Sequence, residues 1–302
     1  MEHVSHRADS AGDDVLRDKT LAFIGSGTMA EAMIQVLLSK GCVAPARICA
    51  SGPREERARD LEQRYNVIGT TDNRQAVEAV DLVVLSVKPQ VMPTVLDELR
   101  GMVFPSALVL SIVAGVKTET IASGLQHPAV VRAMPNTPAQ IGEGMTVWTA
   151  SEGVTGAQRE QARAILQAMG QEIYVDDEDM LDMATAVSGT GPTYVFLMME
   201  AMTDAAVHLG FSRRVAAQLV IQTVLGSAKF ALQSDRHLAE LRNMVTSPGG
   251  TSAEAIYQLE KGGLRTVLSK AIWAAYQKSR LLGESHEAPS GPEGLPAFDS
   301  DE

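Results

Sequence analysis

One loop in the C-terminal part of the chain has the features of an anion-binding site. Residues 245–252 include Gly249 and Gly250 and end in the hydroxyl residues Thr251 and Ser252, directly before a segment with a helical pattern. The first N–H groups of a helix have no partner inside the helix, and the helix dipole adds a partial positive charge there. Such groups bind phosphate or carboxylate. We interpret Gly250, Thr251 and Ser252 as candidate substrate-binding residues; a simple helix cap is the alternative.

A second glycine loop lies near the start of the chain. The apolar run at residues 21–24 is followed by Gly25, Ser26, Gly27, Thr28 and Met29, then by Ala30 and a helical pattern. In a dinucleotide fingerprint the first glycine makes the turn, the second lets the pyrophosphate approach, and a small third residue allows close packing. Strand and helix on either side favour this interpretation over a plain tight turn.

The residues after the second predicted strand, 47–50, bear on the choice of cofactor. NAD enzymes usually have a carboxylate here, which binds the ribose 2′-hydroxyl. This chain has Ser51 and Arg54, with no carboxylate before Glu55. A guanidinium matches the oxygens of a 2′-phosphate, so the pattern favours NADPH, with NADH left open. In the alternative interpretation Arg54 is the solvated start of a helix that also carries Arg57 and Arg59.

Further apolar runs predict a parallel sheet that is covered on both faces. They lie at residues 67–69, 82–87, 107–112 and 130–133, and a final strand pair is predicted at 145–149 and 172–175 around a helix at 156–169. Ligands of such sheets bind at the carboxyl ends of the strands. The candidates for the nicotinamide half of the crevice are Ser86, Val87, Lys88, Pro89 and Ala114.

From about residue 177 to residue 282 the pattern is helical throughout. The segment 194–209 is apolar nearly all round, which predicts that it is buried by subunit association. The predicted organisation is an α/β dinucleotide-binding domain at 19–176 followed by an all-α domain at 177–283. Disordered segments are expected at 1–18 and 284–302.

Composition excludes several classes of function. The net charge is -11, with no cluster of basic residues, which argues against nucleic acid. The two cysteines, Cys42 and Cys49, have no partners at metal-ligand spacing and are expected to be reduced thiols, which predicts a cytoplasmic protein without a metal. The N-terminus lacks the apolar core of a secretory signal. The most apolar span, residues 186–202, is interrupted by glycines, a proline and Glu200, and no segment reaches the roughly 18 to 20 uninterrupted apolar residues that a membrane helix requires.

Several blocks together resemble the Δ1-pyrroline-5-carboxylate reductase family. In chain order the resemblance rests on residues 25–30, 86–89, 114–115, 134–138, 188–192 and 241–251. It implies a Rossmann domain joined to a helical dimerisation domain, with helices interleaved between protomers and dimers assembling further. It also implies reduction of 1-pyrroline-5-carboxylate by NAD(P)H, the last step of proline biosynthesis.

The resemblance also implies roles for individual residues. Gly250, Thr251 and Ser252 would hold the substrate carboxylate, while Asn73, Ser86, Lys88, Pro89 and Ala114 would line the cofactor site. Family members usually have Thr where this chain has Ser252, and commonly Glu where it has Asp235. The hydroxyl of residue 252 is therefore kept without its methyl group, and no role is given to Asp235.

A protonated cyclic imine accepts hydride without further acid–base machinery, so the protein has to align the substrate and hold its carboxylate. The hydroxyl of Thr251 or Ser252 is the candidate catalytic group beside the ring nitrogen. Three alternatives remain. They are another imine reductase, a β-hydroxyacid dehydrogenase, which would require a lysine that residues 188–209 lack, and a non-catalytic NADP-binding module.

Overall fold

The structure is a computed structural model, and it describes residues 15–284. Most of the two predicted disordered segments, residues 1–14 and 285–302, lies outside this range. Within it the chain forms two compact units. One contains the residues up to Ala184 and those from Gln277, and the other contains Thr185–Tyr276.

The first unit is built on a sheet of eight strands. They are β1 Leu21–Ile24, β2 Ile48–Ser51, β3 Ile68–Thr70, β4 Leu82–Leu85, β5 Leu108–Ser111, β6 Val130–Met134, β7 Gly144–Ala150 and β8 Gly170–Tyr174. Their order across the sheet is β3-β2-β1-β4-β5-β6-β7-β8. The pair β6/β7 is antiparallel and the other pairs are parallel. Each strand predicted from the apolar runs is present, with ends displaced by one or two residues.

Helices cover both faces of this sheet. They are α1 Thr28–Ser39, α2 Glu55–Tyr65, α3 Asn73–Ala76, α4 Met92–Leu99, α5 Thr118–Leu125, α6 Gly156–Ala168 and α7 Met180–Ala184. Local signals explain several ends: a capping box of Thr155 and Gln158 begins α6, and α2 ends at Asn66 in the left-handed conformation. One apolar cluster contains Phe23, Leu37 and Trp148, and the other contains Ile24 and Leu125. The predicted two-sided burial is confirmed.

The sheet has its topological switch point at β1, which pairs with β2 on one side and with β4 on the other. Chain connections leave β1 and β4 in opposite directions along the sheet, so a crevice forms outside their carboxyl ends. The residues that follow β1, β2, β4 and β5 all lie at this edge because these strands are parallel. The fold therefore brings together the residues predicted to bind the dinucleotide.

The first unit begins earlier in the chain than expected. Leu16 is completely buried and belongs to the larger apolar cluster, and the Asp18 carbonyl accepts a hydrogen bond of 2.8 Å from Arg47. Residues 15–18 are thus part of the folded unit, which corrects the predicted extension at 1–18. Two adjacent apolar residues, Val15 and Leu16, in a polar segment carry no periodic signal, so the burial of Leu16 could not be inferred from the sequence.

A buried ionic network explains why residues after 176 pack with the first unit. Arg132 of β6 lies 3.0 Å from Glu178 and 3.2 Å from Asp182, and Asp182 also accepts a hydrogen bond of 2.8 Å from Ser279. Glu178 further accepts hydrogen bonds from the N–H and the hydroxyl of Thr118. A buried guanidinium requires such partners. The division between units therefore falls after Ala184 rather than after residue 176.

The second unit is helical, as predicted. After a π-helical turn at Thr185–Gly189 come α8 Gly191–His208, α9 Arg213–Leu232, α10 Leu238–Met244 and α11 Thr251–Lys261, and then α12 Leu264–Glu284, whose last part belongs to the first unit. None of the residues of α8 is buried within the chain, and Phe196 and Leu197 are more than half exposed. An apolar helix left uncovered in this way is typical of a surface that packs against a partner.

One helix of the described residues, α9, is long and apolar. It has 20 residues, and its mean hydropathy over an 18-residue window is 1.4, so by length and composition alone it could cross a membrane. Its apolar residues are interrupted by Gln218, Gln222 and Lys229, so it contains no uninterrupted apolar run of membrane length. A single helix of this kind is weak evidence for a membrane, since helices that pack against a partner subunit have the same composition.

Neither Cys42 nor Cys49 forms a disulfide, as predicted. Cys42 is buried, and burial raises the pKa of the Cys49 thiol to about 11. Because the thiolate is the reactive form, this pKa lowers the reactivity of Cys49 near neutral pH.

Candidate active-site residues

The first glycine of the N-terminal loop is required by close backbone packing. Gly25 has a φ of +102°, and a Cβ there would lie 2.8 Å from the backbone of both Ser86 and Val87. The Gly25 N–H donates to the Ser51 carbonyl, and the Gly25 carbonyl accepts from the Ser86 hydroxyl at 2.7 Å. Gly25 therefore holds together the carboxyl ends of β1, β2 and β4.

The second glycine is open instead. Gly27 is exposed, and no atom lies within 4 Å of where its Cβ would be. It is the N-cap residue of α1 and has no side-chain cap, and the neighbouring Thr28 is exposed as well. Free N–H groups at an uncapped helix start, with open space beside them, fit the pyrophosphate of a dinucleotide.

The arginines after β2 differ in what they contact. Arg57 forms ion pairs with Glu31 and Asp60, and Arg59 pairs with Glu55 at 2.6 Å. Arg54 is exposed, and among residues 15–284 its side chain has no hydrogen bond or ion pair. Arg54 thus remains available to an anionic ligand; its contact with a 2′-phosphate stays a prediction.

Ser51 and Asn73, which were predicted to contact the cofactor, are hydrogen-bonded to each other. Ser51 is completely buried, and its hydroxyl donates to Asn73 Oδ1 at 2.7 Å. The Asn73 amide in turn donates to Glu98 at 2.8 Å. The hydroxyl of Ser51 therefore donates inside the protein, and the two side chains position the loops after β2 and β3.

The strand β4 places four candidates at the crevice edge. Ser86 is held by its hydrogen bonds to the β1 end, Val87 and Pro89 are half-buried, and Lys88 is exposed at the start of the short 3₁₀ helix Pro89–Val91. The Lys88 ammonium has no ion pair within the described part of the chain. After β5, the half-buried Ala114 lies at the same edge.

The proline-rich turn after β6, at residues 134–138, is held by a side chain of its own. Asn136 Oδ1 accepts a hydrogen bond of 3.0 Å from the Met145 N–H, which ties the turn to the start of β7. The 3₁₀ helix Thr137–Ile141 follows directly. The side chain of Asn136 is therefore engaged in shaping the turn.

The anion loop forms the predicted helix start, with one correction. Gly249 has a φ of +69°, and Gly250 is the N-cap of α11. The Gly250 N–H was predicted to bind the ligand, but it donates to the Ser247 carbonyl at 3.0 Å and is therefore already engaged. The N–H groups of Thr251 and Ser252 have no acceptor among the described residues. The candidate carboxylate site therefore consists of these two N–H groups and their hydroxyls.

The sequence reasoning missed one cluster beside the N-terminal glycine loop. Glu31, the acidic residue in the first turn of α1, accepts hydrogen bonds from Arg57 and from Tyr65, and it pairs with Arg64. Burial by itself raises the pKa of Glu31, but the hydrogen bonds and charges of these partners outweigh burial and lower it. The contacts join α1 to α2, and no local spacing in the sequence indicates them.

Within the described residues no group of His, Cys, Asp and Glu is arranged to hold a metal ion. The candidates divide by unit: those for the dinucleotide are in the first unit, and those for the substrate carboxylate are in the second.

Two family models match the chain. The model described as "Pyrroline-5-carboxylate reductase dimerisation" matches residues 178–282, and the model described as "NADP oxidoreductase coenzyme F420-dependent" matches residues 20–115. The first match covers the helical unit, and the second covers the strands around the switch point.

Relatives and solved structures match over nearly the whole chain. The pyrroline-5-carboxylate reductase of Pseudomonas aeruginosa is 43% identical over 265 residues, which cover 87% of this chain and 97% of that protein. A pyrroline-5-carboxylate reductase structure from Coxiella burnetii is 39% identical with a TM-score of 0.80, covering 87% of this chain and 98% of that one. A Plasmodium falciparum pyrroline carboxylate reductase with NADP bound has 28% identity and a TM-score of 0.82, covering 89% and 99%.

Two glycine variants separate the structural from the binding function of the N-terminal loop. We expect Gly25→Ala to lower the unfolding temperature by several degrees, because its Cβ meets the backbone of Ser86 and Val87. Gly27→Ala should unfold within about 2 °C of the unaltered protein but weaken NADPH binding by about 10-fold or more, since its Cβ occupies the approach of the pyrophosphate. Thermal unfolding and calorimetric titration measure both effects. Unchanged NADPH binding in Gly27→Ala would contradict this assignment.

Replacing Arg54 tests the 2′-phosphate contact. We expect Arg54→Ala to raise the KM for NADPH about 10-fold more than the KM for NADH, because a charge-assisted hydrogen bond to the phosphate is lost. Steady-state kinetics with both nucleotides measures the ratio. The control is Arg59→Ala. Arg59 lies in α2, which begins directly after Arg54, and it already pairs with Glu55. Equal effects on both nucleotides would assign the phosphate contact elsewhere.

Proposed function

Because the chain belongs to the pyrroline-5-carboxylate reductase family, we propose that it reduces the cyclic imine 1-pyrroline-5-carboxylate to L-proline, the last step of proline biosynthesis. The class is that of NAD(P)H-dependent oxidoreductases acting on CH–NH bonds. The observation that carries the proposal is that one chain contains both an open glycine loop at a switch point of the sheet and, in its other unit, an uncapped helix start with two hydroxyls.

The proposed cofactor is NADPH. Gly27, Thr28 and Met29 would face the pyrophosphate with their backbone, Arg54 would face the 2′-phosphate, and Lys88 and Ala114 would border the nicotinamide half. When bound, the cofactor supplies the hydride. The protein contributes the backbone donors and the exposed cations that hold the nucleotide in one orientation.

The proposed substrate site is the start of α11. The N–H groups of Thr251 and Ser252 would bind the substrate carboxylate, aided by the positive end of the helix dipole. One of the two hydroxyls would lie near the ring nitrogen, where it would accept a hydrogen bond from the N–H of the protonated imine or donate a proton to the unprotonated one. Since a protonated imine already carries the charge that attracts hydride, the chain needs no metal and no nucleophile for this reaction.

The helical unit is proposed to pair two copies of the chain. The uncovered apolar residues of α8 support this, as does the match of residues 178–282 to a dimerisation model. Interleaved helices and further assembly of dimers are part of the proposal. Light scattering of the purified protein should give a mass of two chains or a multiple of it; a mass of one chain at micromolar concentration would reject the pairing.

A cytoplasmic location is proposed as well. It is supported by the two free cysteines, since thiols persist in reducing compartments.

Replacing the hydroxyl of Ser252 tests the proposed chemistry. The unaltered protein should oxidise NADPH when 1-pyrroline-5-carboxylate is added, and Ser252→Ala should lower kcat/KM by about 10- to 100-fold, because one oriented hydrogen bond in the transition state is lost. NADPH absorbance follows the reaction. Tight NADPH binding without any turnover in the unaltered protein would favour a non-catalytic NADP-binding module.

Two further variants are the controls for this experiment. Ser252→Thr keeps the hydroxyl and should retain kcat/KM within about twofold. Ser247→Ala removes a hydroxyl from the same loop but from outside the helix start, and it should have a similarly small effect. A rate for Ser252→Ala equal to that of the unaltered protein would remove this hydroxyl from the mechanism.

A further inference from the structure

The carbonyl of Ser26, in the N-terminal glycine loop, is held by a side chain from another helix. Arg57 of α2 donates from Nε to this carbonyl at 3.0 Å. The other two nitrogens of its guanidinium bind Glu31 and, at 2.7 Å, Asp60. All three nitrogens are thus engaged, and the planar guanidinium has one orientation. Arg57 therefore connects the glycine loop to α1 and α2 at once.

Fixing the Ser26 carbonyl also fixes the direction of the next N–H group. The described chain contains no cis peptide bond, so the bond between Ser26 and Gly27 is trans and planar. In such a peptide the C=O and the N–H point to opposite sides. Because the carbonyl points to Arg57, the Gly27 N–H points away from it, and it has no acceptor among the described residues.

The rest of the loop leaves this peptide little other support. The Ser26 side chain is buried, and the Cβ of an alanine at position 52 would lie 2.1 Å from Ser26 Oγ, so Gly52 leaves room for the Ser26 hydroxyl as it lies here. This packing holds the side chain but offers no donor to the carbonyl. The Gly27 carbonyl accepts a hydrogen bond of 3.0 Å from the Glu31 N–H, but this bond holds the peptide that follows Gly27. The hydrogen bond from Arg57 is therefore the side-chain contact that orients the peptide between Ser26 and Gly27.

We propose that Arg57 is a positioning residue for the dinucleotide site, which turns the Gly27 N–H toward the pyrophosphate by holding the Ser26 carbonyl. The proposal rests on the proposed reductase function and its cofactor site. Arg57 acts through the backbone, and its charge is already balanced by Glu31 and Asp60. Replacing Arg57 should therefore weaken the binding of every ligand that contains the pyrophosphate, with or without a 2′-phosphate.

The structure offers a matched control for the charge of Arg57. Arg64 lies on the same helix and also pairs with Glu31 and Asp60, but no contact joins it to Ser26. The variants Arg57→Met and Arg64→Met lose the same charge from the same cluster. A difference between them therefore reports the contact to the glycine loop.

Calorimetric titration with NADPH, NADH and ADP-ribose tests the proposal. We expect Arg57→Met to raise the Kd of each of the three ligands by about 10-fold, which corresponds to about 1.4 kcal/mol of binding free energy. Arg64→Met should raise each Kd by less than about twofold. In steady-state kinetics the loss should fall on the KM for the cofactor more than on kcat. Weakening of NADPH alone would instead make Arg57 a 2′-phosphate contact and overturn the proposal.

A double variant separates position from charge. Glu31→Gln combined with Arg57→Met has the net charge of the unaltered protein and leaves no unpaired carboxylate in the cluster, so it should fold even where Arg57→Met unfolds. We expect its binding of ADP-ribose to stay weak, because the Ser26 carbonyl still lacks its donor. Recovery of binding, or equal losses in Arg57→Met and Arg64→Met, would show a purely electrostatic role.

The unaltered protein distinguishes failure of this inference from failure of the proposed function. If it binds neither NADPH nor ADP-ribose, the proposed reductase function fails. If it binds both and Arg57→Met binds them equally well, with an unchanged unfolding temperature, the inference about Arg57 alone fails.

Discussion

The approach of the β1 and β4 ends at Gly25 is the constraint on which the first unit depends. The Gly25 backbone lies so close to Ser86 and Val87 that no side chain fits between them, and its φ is in the region that glycine favours. This contact sets where β1 turns into α1 and how the ends of β2 and β4 meet. The packing of Gly25 against Ser86 and Val87 therefore sets the direction in which α1 begins. The open backbone at Gly27, two residues later, depends on this contact.

The polar groups around the crevice divide into two sets. Ser51, Asn73, Asn136 and Arg57 are engaged in hydrogen bonds within the protein and shape the loops. The backbone at Gly27 and Thr28 and the side chains of Arg54 and Lys88 remain open. Burial drives this division, because a polar group removed from water must find a partner inside the fold. The same division separates Gly250, whose N–H is used in the turn, from Thr251 and Ser252.

The helical unit is stabilised differently from the sheet unit. Its long helices contain apolar side chains that the chain itself does not cover, as at Phe196 and Ile221. By length and composition alone, α9 is apolar enough to cross a membrane. In water such surfaces favour association. The sheet unit, in contrast, buries its apolar strands between two layers of helices. Its Arg132 forms ion pairs with Glu178 and Asp182, and Asp182 accepts a hydrogen bond from Ser279.

Local patterns in the sequence determined the secondary structure, the order of the two halves and the two glycine loops. Strand runs, helical periodicity and glycine spacing are short-range properties, and the strands at β1, β4 and β5 and the helices α9 and α10 follow directly from them. The family resemblance then connected these loops to a reaction. The elements and each block of the resemblance could be found because every one of these signals lies within a few neighbouring residues.

Only the tertiary structure decided which polar groups are free. The hydrogen bond from Arg57 to Ser26 joins residues 31 positions apart, and that from Ser51 to Asn73 joins residues 22 apart. The burial of Leu16 and the ion pairs of Arg132 likewise depend on distant contacts. Residue types and spacing indicate which groups are able to bind a ligand. Which of them the protein uses for itself depends on what folding brings beside them.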